Sequence, residues 1–471
     1  MGAALPACSR VRKASCTWRR AGLDRGDLLR GSPNARTAAQ GSSKLCCSAG
    51  ARARRWRAMA NALSLLSARA RVLACARGPV RIETVPLHAA HGRFLAEAVH
   101  ADGPWPATDR SAMDGFAVAA GTAGLAAGTA LRVVGESLAG RPFVGTLPAG
   151  AAIRIMTGAV VPPDADAVVP VEQTSGYASE PVVLQDAVRA GQNVRPMGSE
   201  LSTAQEVLAA GRRLDPAAIG VLAVLGKTMV CVACRPVVAI VATGDEVVPV
   251  EQTPLPHQVR ESNSWAVAAQ VEACGAVPRR LGIAPDEPVA LRAMLSRGLD
   301  EADVLVTIGG ISKGTHDLVH GTLEELGVQR EFHGIDLKPG KPTFFGTRSA
   351  AAGARFVFGL PGNPASSFTV FDLLVRPLLF ALSGADPGEL RIHAPAAGTL
   401  WRPNARFQAV PARLQPSAAG TLEAALAPPS PSGDPFGLLW GNVYALVPAQ
   451  VQPGDVATIQ LAGGAAGVAL P

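Results

Sequence analysis

Cysteine is scarce in the part of the chain that looks folded. Of eight cysteines in 471 residues, Cys8, Cys16, Cys46 and Cys47 lie near the start, leaving only Cys75, Cys231, Cys234 and Cys274 for the rest. That excludes a disulfide scaffold and fits a reducing compartment. Cys231-Val-Ala-Cys234 is a lone CxxC inside a strand-like stretch. Without a second pair it predicts two core cysteines rather than a zinc or redox site. No run of 18 strongly apolar residues occurs, and the uncharged stretch 435–454 is broken by Gly, Asn, Gln and Pro. The sequence therefore predicts a soluble protein without a membrane span. A GxxxxGK[ST] loop and a nucleophile–His–acid arrangement are also missing. Phosphate handling by positioning and metal is favoured over covalent catalysis.

Negative charge is missing from the head of the chain. Residues 1–60 hold 13 Lys or Arg against only Asp24 and Asp27, a balance of +11, whereas residues 61–471 hold 31 basic and 35 acidic groups, a balance of −4. The formal +7 of the whole chain thus gives no support to a nucleic-acid-binding body. The head shows no sustained helical or strand period and no apolar core of a secretory signal. Three readings of it stay open: a start assigned too early, with Met59 or a nearby codon as the real one; an organelle transit segment; or a disordered basic arm.

What is abundant is glycine and proline, 50 and 38 residues, about a fifth of the chain against a usual ~12%. Many turns and short elements follow, with no collagen period. From Ala60 to about His100 the text reads as helix, short extended piece and second helix. Residues 101–200 carry short β-branched pieces (FAVAA, TALRVVGE, AAIRIMTG, DAVVPVEQT, PVVLQDAV) separated by Gly, Pro or Asp, which predicts an all-β module. Helical text returns at 201–226, in LSTAQEVLAAG and DPAAIGVLAVLG, so the β module looks inserted between two helical pieces. From Arg235, apolar strands alternate with helices at 263–275, 288–299, 318–327 and 365–382, which predicts a mostly parallel, three-layer α/β core. Residues 390–471 return to short strands. The expected parts are a basic head (1–59), a helical wing (60–100 with 201–232), the inserted β module (101–200), the α/β domain (233–385) and a C-terminal β domain (386–471).

Three polar loops begin at carboxyl ends of strands, where such sheets bind ligands. They are Thr243-Gly244-Asp245-Glu246, the run Gly309 to Asp317 (GGISKGTHD), and Gly359-Leu360-Pro361-Gly362-Asn363-Pro364. Glycines let backbone N–H groups approach an anion, and a following helix start adds a favourable dipole. Asp245, Glu246 and Asp317 beside such a nest would call for a cation, with Mg²⁺ bridging to phosphate the usual solution. Lys338-Pro339-Gly340-Lys341-Pro342 offers two ammonium groups in a proline-stiffened turn, suited to phosphate or another oxyanion or simply solvated. His333 could be a base, although a surface or structural histidine is the plainer reading, and His316 is equally open. In the β module, Asp109 to Ala117 (DRSAMDGFA) is an Asx-type turn or a polar site feeding a strand. Met156-Thr157-Gly158-Ala159 is a second turn of this kind with a free hydroxyl.

The chain resembles the MoeA/gephyrin E-domain family, the molybdopterin molybdenumtransferases that complete molybdenum cofactor. The matching text, in the family's order, is DRSAMDGFAV, IRIMTGAVVP, VVPVEQT, VVAIVATGDEVV, VLVTIGGISKGTHD, LKPGKPTFFG and LPGNPASS, over about residues 60–470. The resemblance implies a four-part, elongated, dimeric architecture. It also implies insertion of molybdate into adenylylated molybdopterin with Mg²⁺-dependent release of AMP. Carried over by motif, Asp114, Thr157, Glu200, Asp317, Lys338 and Lys341 are the catalytic candidates. Thr243, Gly244, Gly309, Gly310, Ser312, Pro361, Gly362, Asn363, Pro364, Arg406 and Ser432 are the candidates for binding the pterin nucleotide. Asp245, Glu246, Asp286 and Asp317 are those for Mg²⁺. The resemblance further implies a homodimer in which one protomer's β module completes the partner's α/β cleft, a cytoplasmic location, and passing contact with upstream enzymes and acceptor molybdoenzymes.

Two departures stand out. Many family members carry an Arg-rich run before the second wing, whereas Val194-Arg195-Pro196-Met197-Gly198-Ser199-Glu200 keeps only Arg195. Lys313 occupies a position where a small apolar residue is common. The related adenylyltransferase step uses a similar α/β unit as a short standalone protein, and the β segments and KPGKP text argue against it. A receptor-clustering scaffold role lacks a companion domain.

Overall fold

The computed structural model describes residues 62–78, 80–311, 318–350, 353–386, 391–397, 406–417, 419–428, 430–441, 443–447 and 456–461. The basic head lies outside these residues. At the centre is a six-stranded sheet in the order Val277–Ala284, Val237–Thr243, Val304–Ile308, Arg355–Leu360, Phe344–Arg348, Gln329–His333. The first four strands are parallel, and Phe344–Arg348 pairs antiparallel with both of its neighbours, so that Gln329–His333 again runs with the first four. VVAIVAT and VLVTI are apolar at nearly every position and buried on both faces, as central parallel strands must be.

Two hydrophobic layers cover this sheet. One joins Val238, Ile240, Val304 and Phe358 to the helices Asn263–Ala273 and Pro364–Leu382. The other joins Ala239, Val241 and Leu305 to Pro288–Glu301 and Leu318–Glu325. Pro364–Leu382 is long and apolar enough to cross a membrane, but it is largely packed inside the protein. It starts with proline at its first turn, where the missing N–H costs nothing, and widens to a π-helical stretch over Phe371–Val375. Cys274 sits in this core, and burial holds its thiol up at about 12. None of Cys75, Cys231, Cys234 and Cys274 is in a disulfide.

The β module is a five-stranded sheet in the order Ala167–Pro170, Gly115–Val118, Ala151–Ile155, Ala130–Ser137, Val182–Val183. Its apolar residues pack on both faces. Gly115 is needed for close approach, because a Cβ there would stand 1.9 Å from the Val169 carbonyl oxygen.

In the C-terminal part, Phe407–Pro416, Leu422–Leu426, Arg391–Ala397, Val456–Leu461 and Val443–Val447 pair in that order, and the last pairs back to the first, closing a barrel. Closure leaves those strands no free edge. Ile335–Lys338 adds to this sheet in parallel with Phe407–Pro416, so the KPGK turn is carried by the C-terminal sheet as well as by the α/β unit.

The structure corrects the wing. Only Leu65–Cys75 and Pro216–Val224 are α-helical there. The expected second helix before His100 and the helix over LSTAQEVLAAG are absent. Val99–His100 instead pairs with Glu206–Leu208, and Ile82–Pro86 with Met229–Ala233. Positive φ at Ala204 and Gly211 interrupts any helix in 201–211. Cross-strand burial of Leu95, Leu208 and Val232 outweighs the helix propensity of Ala, Leu and Glu. Leu65–Cys75 also packs away from the wing, placing Leu65, Ala68 and Val72 in the α/β core.

Candidate functional site

The carboxyl ends of the parallel strands bring the glycine loops together. Thr243, 4% exposed, donates its hydroxyl to the Ile308 carbonyl at 3.3 Å, and Gly309 N–H donates to the Leu360 carbonyl at 3.0 Å. Gly309 and Gly310 have φ of +91° and +61°, and a Cβ on either would press on Thr243, or on Val319 at 2.6 Å. Only glycine fits both the backbone sign and the space. Gly362 stands close enough that a Cβ there would lie 3.6 Å from the Gly309 Cα.

Residues far apart in the chain complete this surface. Asn363 Nδ2 donates to Ser432 Oγ at 2.8 Å, and the Ala365 N–H donates to the Ser432 carbonyl at 3.2 Å. Arg406 donates to the Leu337 carbonyl at 3.4 Å, beside the exposed Lys338. The turn from Lys338 to Lys341 is clamped by Thr343 Oγ1 donating to the Gly340 carbonyl at 2.6 Å and by Ile335 N–H donating to the Lys341 carbonyl at 3.0 Å. Both lysines are exposed. Gly340 packs so close to Val370, on the helix following Pro364, that a Cβ there would stand 2.6 Å from it.

The acidic residues gather next to the TGDE turn. Asp286 N–H donates to Asp245 Oδ1 at 3.4 Å, and the Glu246 carboxylate folds back over Gly244. Partial burial, then the Asp245 and Glu246 charges, raise the Asp286 carboxyl above its ordinary value. Mutual repulsion of this kind is relieved by a cation. Among the described residues no three His, Cys, Asp or Glu side chains form a ready metal cluster. The donors are hard carboxylate oxygens on an open surface, which suits Mg²⁺, an ion that keeps several waters and takes one or two carboxylates together with substrate phosphates. Ser312 and Asp317 lie outside the described residues, as do Lys313 and His316.

The β-module candidates form a surface of their own. Asp114 Oδ1 accepts from the Thr157 N–H at 2.6 Å and from its hydroxyl at 2.7 Å. The backbone bond first, then the hydroxyl bond, holds the Asp114 carboxyl below its ordinary value. The two turns are laced by Ser111 N–H to the Ala159 carbonyl (2.9 Å) and Gly158 N–H to the Ser111 carbonyl (2.8 Å). Val194–Arg195 pairs with Arg110–Ser111, bringing in the third turn, where Arg195 and Glu200 form an ion pair. Every hydrogen bond and ion pair of Asp114, Thr157 and Glu200 among the described residues stays within the β module.

Asn263 and Asn193 escaped the sequence reading, and Arg110 was read only as part of the DRSAMDGFA motif. Asn263 Nδ2 donates to the Gly362 carbonyl at 2.7 Å, Arg110 donates to the Gly158 carbonyl at 3.0 Å, and Asn193, at φ +53°, donates to the Val168 carbonyl at 2.9 Å. An asparagine opening a helix beside an invading loop was the available signal for Asn263. His333 is structural: its Nε2 meets the Ile311 carbonyl at 3.0 Å and its ring packs on Phe344. Cys231 and Cys234 line different cavities, in keeping with a chance CxxC.

Comparison with known proteins bears on the family and the fold. Residues 58–226 match the family profile described as the MoeA N-terminal region, domains I and II, and residues 239–381 match that of a probable molybdopterin binding domain. The molybdopterin molybdenumtransferase of Haemophilus influenzae is 33% identical over 338 residues, covering 72% of this chain and 82% of the relative. That of a Nostoc strain is 37% identical over 309 residues, covering 65% and 70%. Two solved structures of molybdopterin biosynthesis MoeA proteins from Pyrococcus horikoshii match with TM-scores of 0.73 and 0.69 at 26% and 28% identity. Each match covers 85% of this chain, and 100% and 99% of the respective solved chain. The chain belongs to the MoeA family of molybdopterin molybdenumtransferases.

Proposed function

We propose that this enzyme of molybdenum cofactor biosynthesis inserts molybdate into adenylylated molybdopterin, with Mg²⁺-dependent release of AMP. The observation that carries the reading is the convergence, at one end of the α/β sheet, of the glycine loops, the carboxylate group around Asp286 and the Lys338–Lys341 turn. The backbone at Thr243, Gly244, Gly309 and Gly310 cradles the pterin nucleotide, with Ser312 and the Pro361-Gly362-Asn363-Pro364 turn beside it. Ser432 fixes that turn through Asn363, and Arg406 steadies the strand leading to Lys338. Lys338 and Lys341 attract the molybdate oxyanion and stabilise charge developing on the phosphate. Asp245, Glu246 and Asp286, with Asp317, would hold Mg²⁺. When bound, that ion neutralises charge on the pyrophosphate.

Asp114, Thr157 and Glu200 orient water and oxo groups from the opposite wall. That their bonds among the described residues stay within the β module favours a homodimer with composite sites, which is part of the same proposal. So are the cytoplasmic location and the division into a head (1–59), a wing (60–100 with 201–232), a β module (101–200), an α/β domain (233–385) and a C-terminal domain (386–471). Leu65–Cys75 and Ile335–Lys338 cross those bounds in their packing. The test is turnover: the purified chain with adenylylated molybdopterin, molybdate and Mg²⁺ should release AMP and yield cofactor that activates an apo-molybdoenzyme. Unchanged adenylylated substrate would overturn the assignment. A chain starting at Met59, assayed in parallel, reports on the head.

A further inference from the structure

We propose that the opposite, amino edge of the same sheet carries a second ligand site, for a small tetrahedral dianion of the phosphate, sulfate or molybdate class. A cavity of about 380 Å³ opens there, lined by Pro236, Asp303 and Phe356 at the entries to three adjacent parallel strands. That volume lies in the range of small-molecule sites.

The charges around it do not balance. Among the described residues, Arg77, Arg81 and Arg355 line the cavity with Asp303 as the one carboxylate. Asp303 is already fully engaged. Its Oδ2 accepts from Arg81 at 2.6 Å and from the Val237 N–H at 2.9 Å, and its Oδ1 accepts from Arg355 at 3.4 Å. Among the described residues, one carboxylate against three guanidiniums leaves an excess of two positive charges. The Arg355 side chain is only 14% exposed, and its Nε is buried without an acceptor. A buried donor is rarely left so, and it marks the Arg355 guanidinium as incompletely compensated by Asp303.

Two helix carboxyl ends also border the cavity, at Cys75 and Leu382, and helix ends of this polarity attract cations. They account for the placement of Arg77, next to the Ala76 cap, but not for Arg81 and Arg355. Ala76, Ser383 and Gly384 N–H groups turn back onto those helices' own carbonyls, and the bonds of Arg81 and Arg355 run to Asp303. Val80, Phe356 and Leu382 supply an apolar wall, which strengthens charge–charge attraction inside. Guanidinium groups are the usual partners of such oxyanions because their paired N–H donors match the oxygen geometry.

Local reporters are built in. Cys75 and Cys234, both half-buried, line this cavity, whereas Cys231 lines a different one. The full chain is titrated with inorganic phosphate, sulfate and molybdate at constant ionic strength. Binding is followed by calorimetry, and alkylation of each cysteine by iodoacetamide and mass spectrometry. Saturable binding with at least about fivefold slower alkylation of Cys75 or Cys234 and no change at Cys231 is expected. Arg77→Ala, on the exposed rim, should weaken binding about tenfold without lowering the melting temperature, and Lys338→Ala should leave the protection intact. Preference for molybdate would point to the free oxyanion, and preference for phosphate to a phosphoryl compound. No binding of any of the three at about 20 mM, a concentration at which even millimolar sites fill, would overturn the proposal. Protection lost in Lys338→Ala but kept in Arg77→Ala would do the same.

Discussion

The two polar surfaces assigned to the reaction compensate their charges differently. On the β module each candidate is already bonded within its own module: Asp114 to Thr157 twice, Glu200 to Arg195. At the α/β cleft the charges are left facing solvent or one another, with Asp286 pushed up by its acidic neighbours and Lys338 and Lys341 exposed. The first surface is preorganised, its side chains held in one orientation before any substrate arrives. The second is incomplete until phosphate, oxyanion and cation bring the missing charges. Binding energy should therefore come mainly from the cleft, and orientation from the module.

The largest expected effect tests the cleft. Lys341→Ala should lower kcat/KM by about 10²–10³-fold, the usual loss when a preorganised charge is removed from a developing anion, while melting temperature stays unchanged because the side chain is exposed. Full activity in steady-state assays would remove this lysine from the site and with it the contrast between the surfaces. Gly310→Ala should act on the fold instead. A left-handed φ and a 2.6 Å approach to Val319 together cost about 2–4 kcal/mol, read as a shifted denaturant midpoint. An unshifted midpoint would mean that the loop accommodates a side chain.

A mixing experiment asks whether the two surfaces belong to one site across a dimer. Asp114→Ala and Lys341→Ala chains, each inactive alone, are refolded together in equal amounts. A composite site predicts about a quarter of wild-type activity, since half the dimers are mixed and each mixed dimer keeps one intact site. No recovery in mixtures shown to contain mixed dimers would place both surfaces in the same protomer's site.

The α/β core was legible because its strands are uninterrupted apolar runs such as VLVTI ending in glycine, a pattern that burial on both faces leaves in the text. The meeting of its glycine loops was legible for the same reason, since loops at successive strand ends adjoin. The wing was not. Ala, Leu and Glu in LSTAQEVLAAG favour helix locally, and only the partner strand at Val99–His100, a hundred positions earlier, makes the segment extended. The Asn363–Ser432 and Arg406–Leu337 contacts were equally out of reach as geometry. The second accompanies the pairing of Ile335–Lys338 with the C-terminal sheet, which no local pattern encodes. Asp114 and Thr157 could be named from motifs, but their mutual bond could not.

That bond gives the smallest and most specific test. Thr157→Val removes the hydroxyl donor and keeps the backbone N–H, so the Asp114 carboxyl, held below its ordinary value by both, should rise part of the way back. A lowered folded-state pKa contributes stability that is present above the unfolded value and is lost as pH falls through the folded one. Weakening it therefore narrows the acid side alone. If catalysis needs the ionised carboxylate, the acid limb of the pH–rate profile should move to higher pH in the variant. Activity near pH 7 should change little, and the alkaline limb should stay in place. An acid limb that stays where it is, with kcat reduced equally at all pH values, would show that Thr157 acts by contact with substrate. The bond to Asp114 would then be incidental, and the β module would be no more preorganised than the α/β cleft.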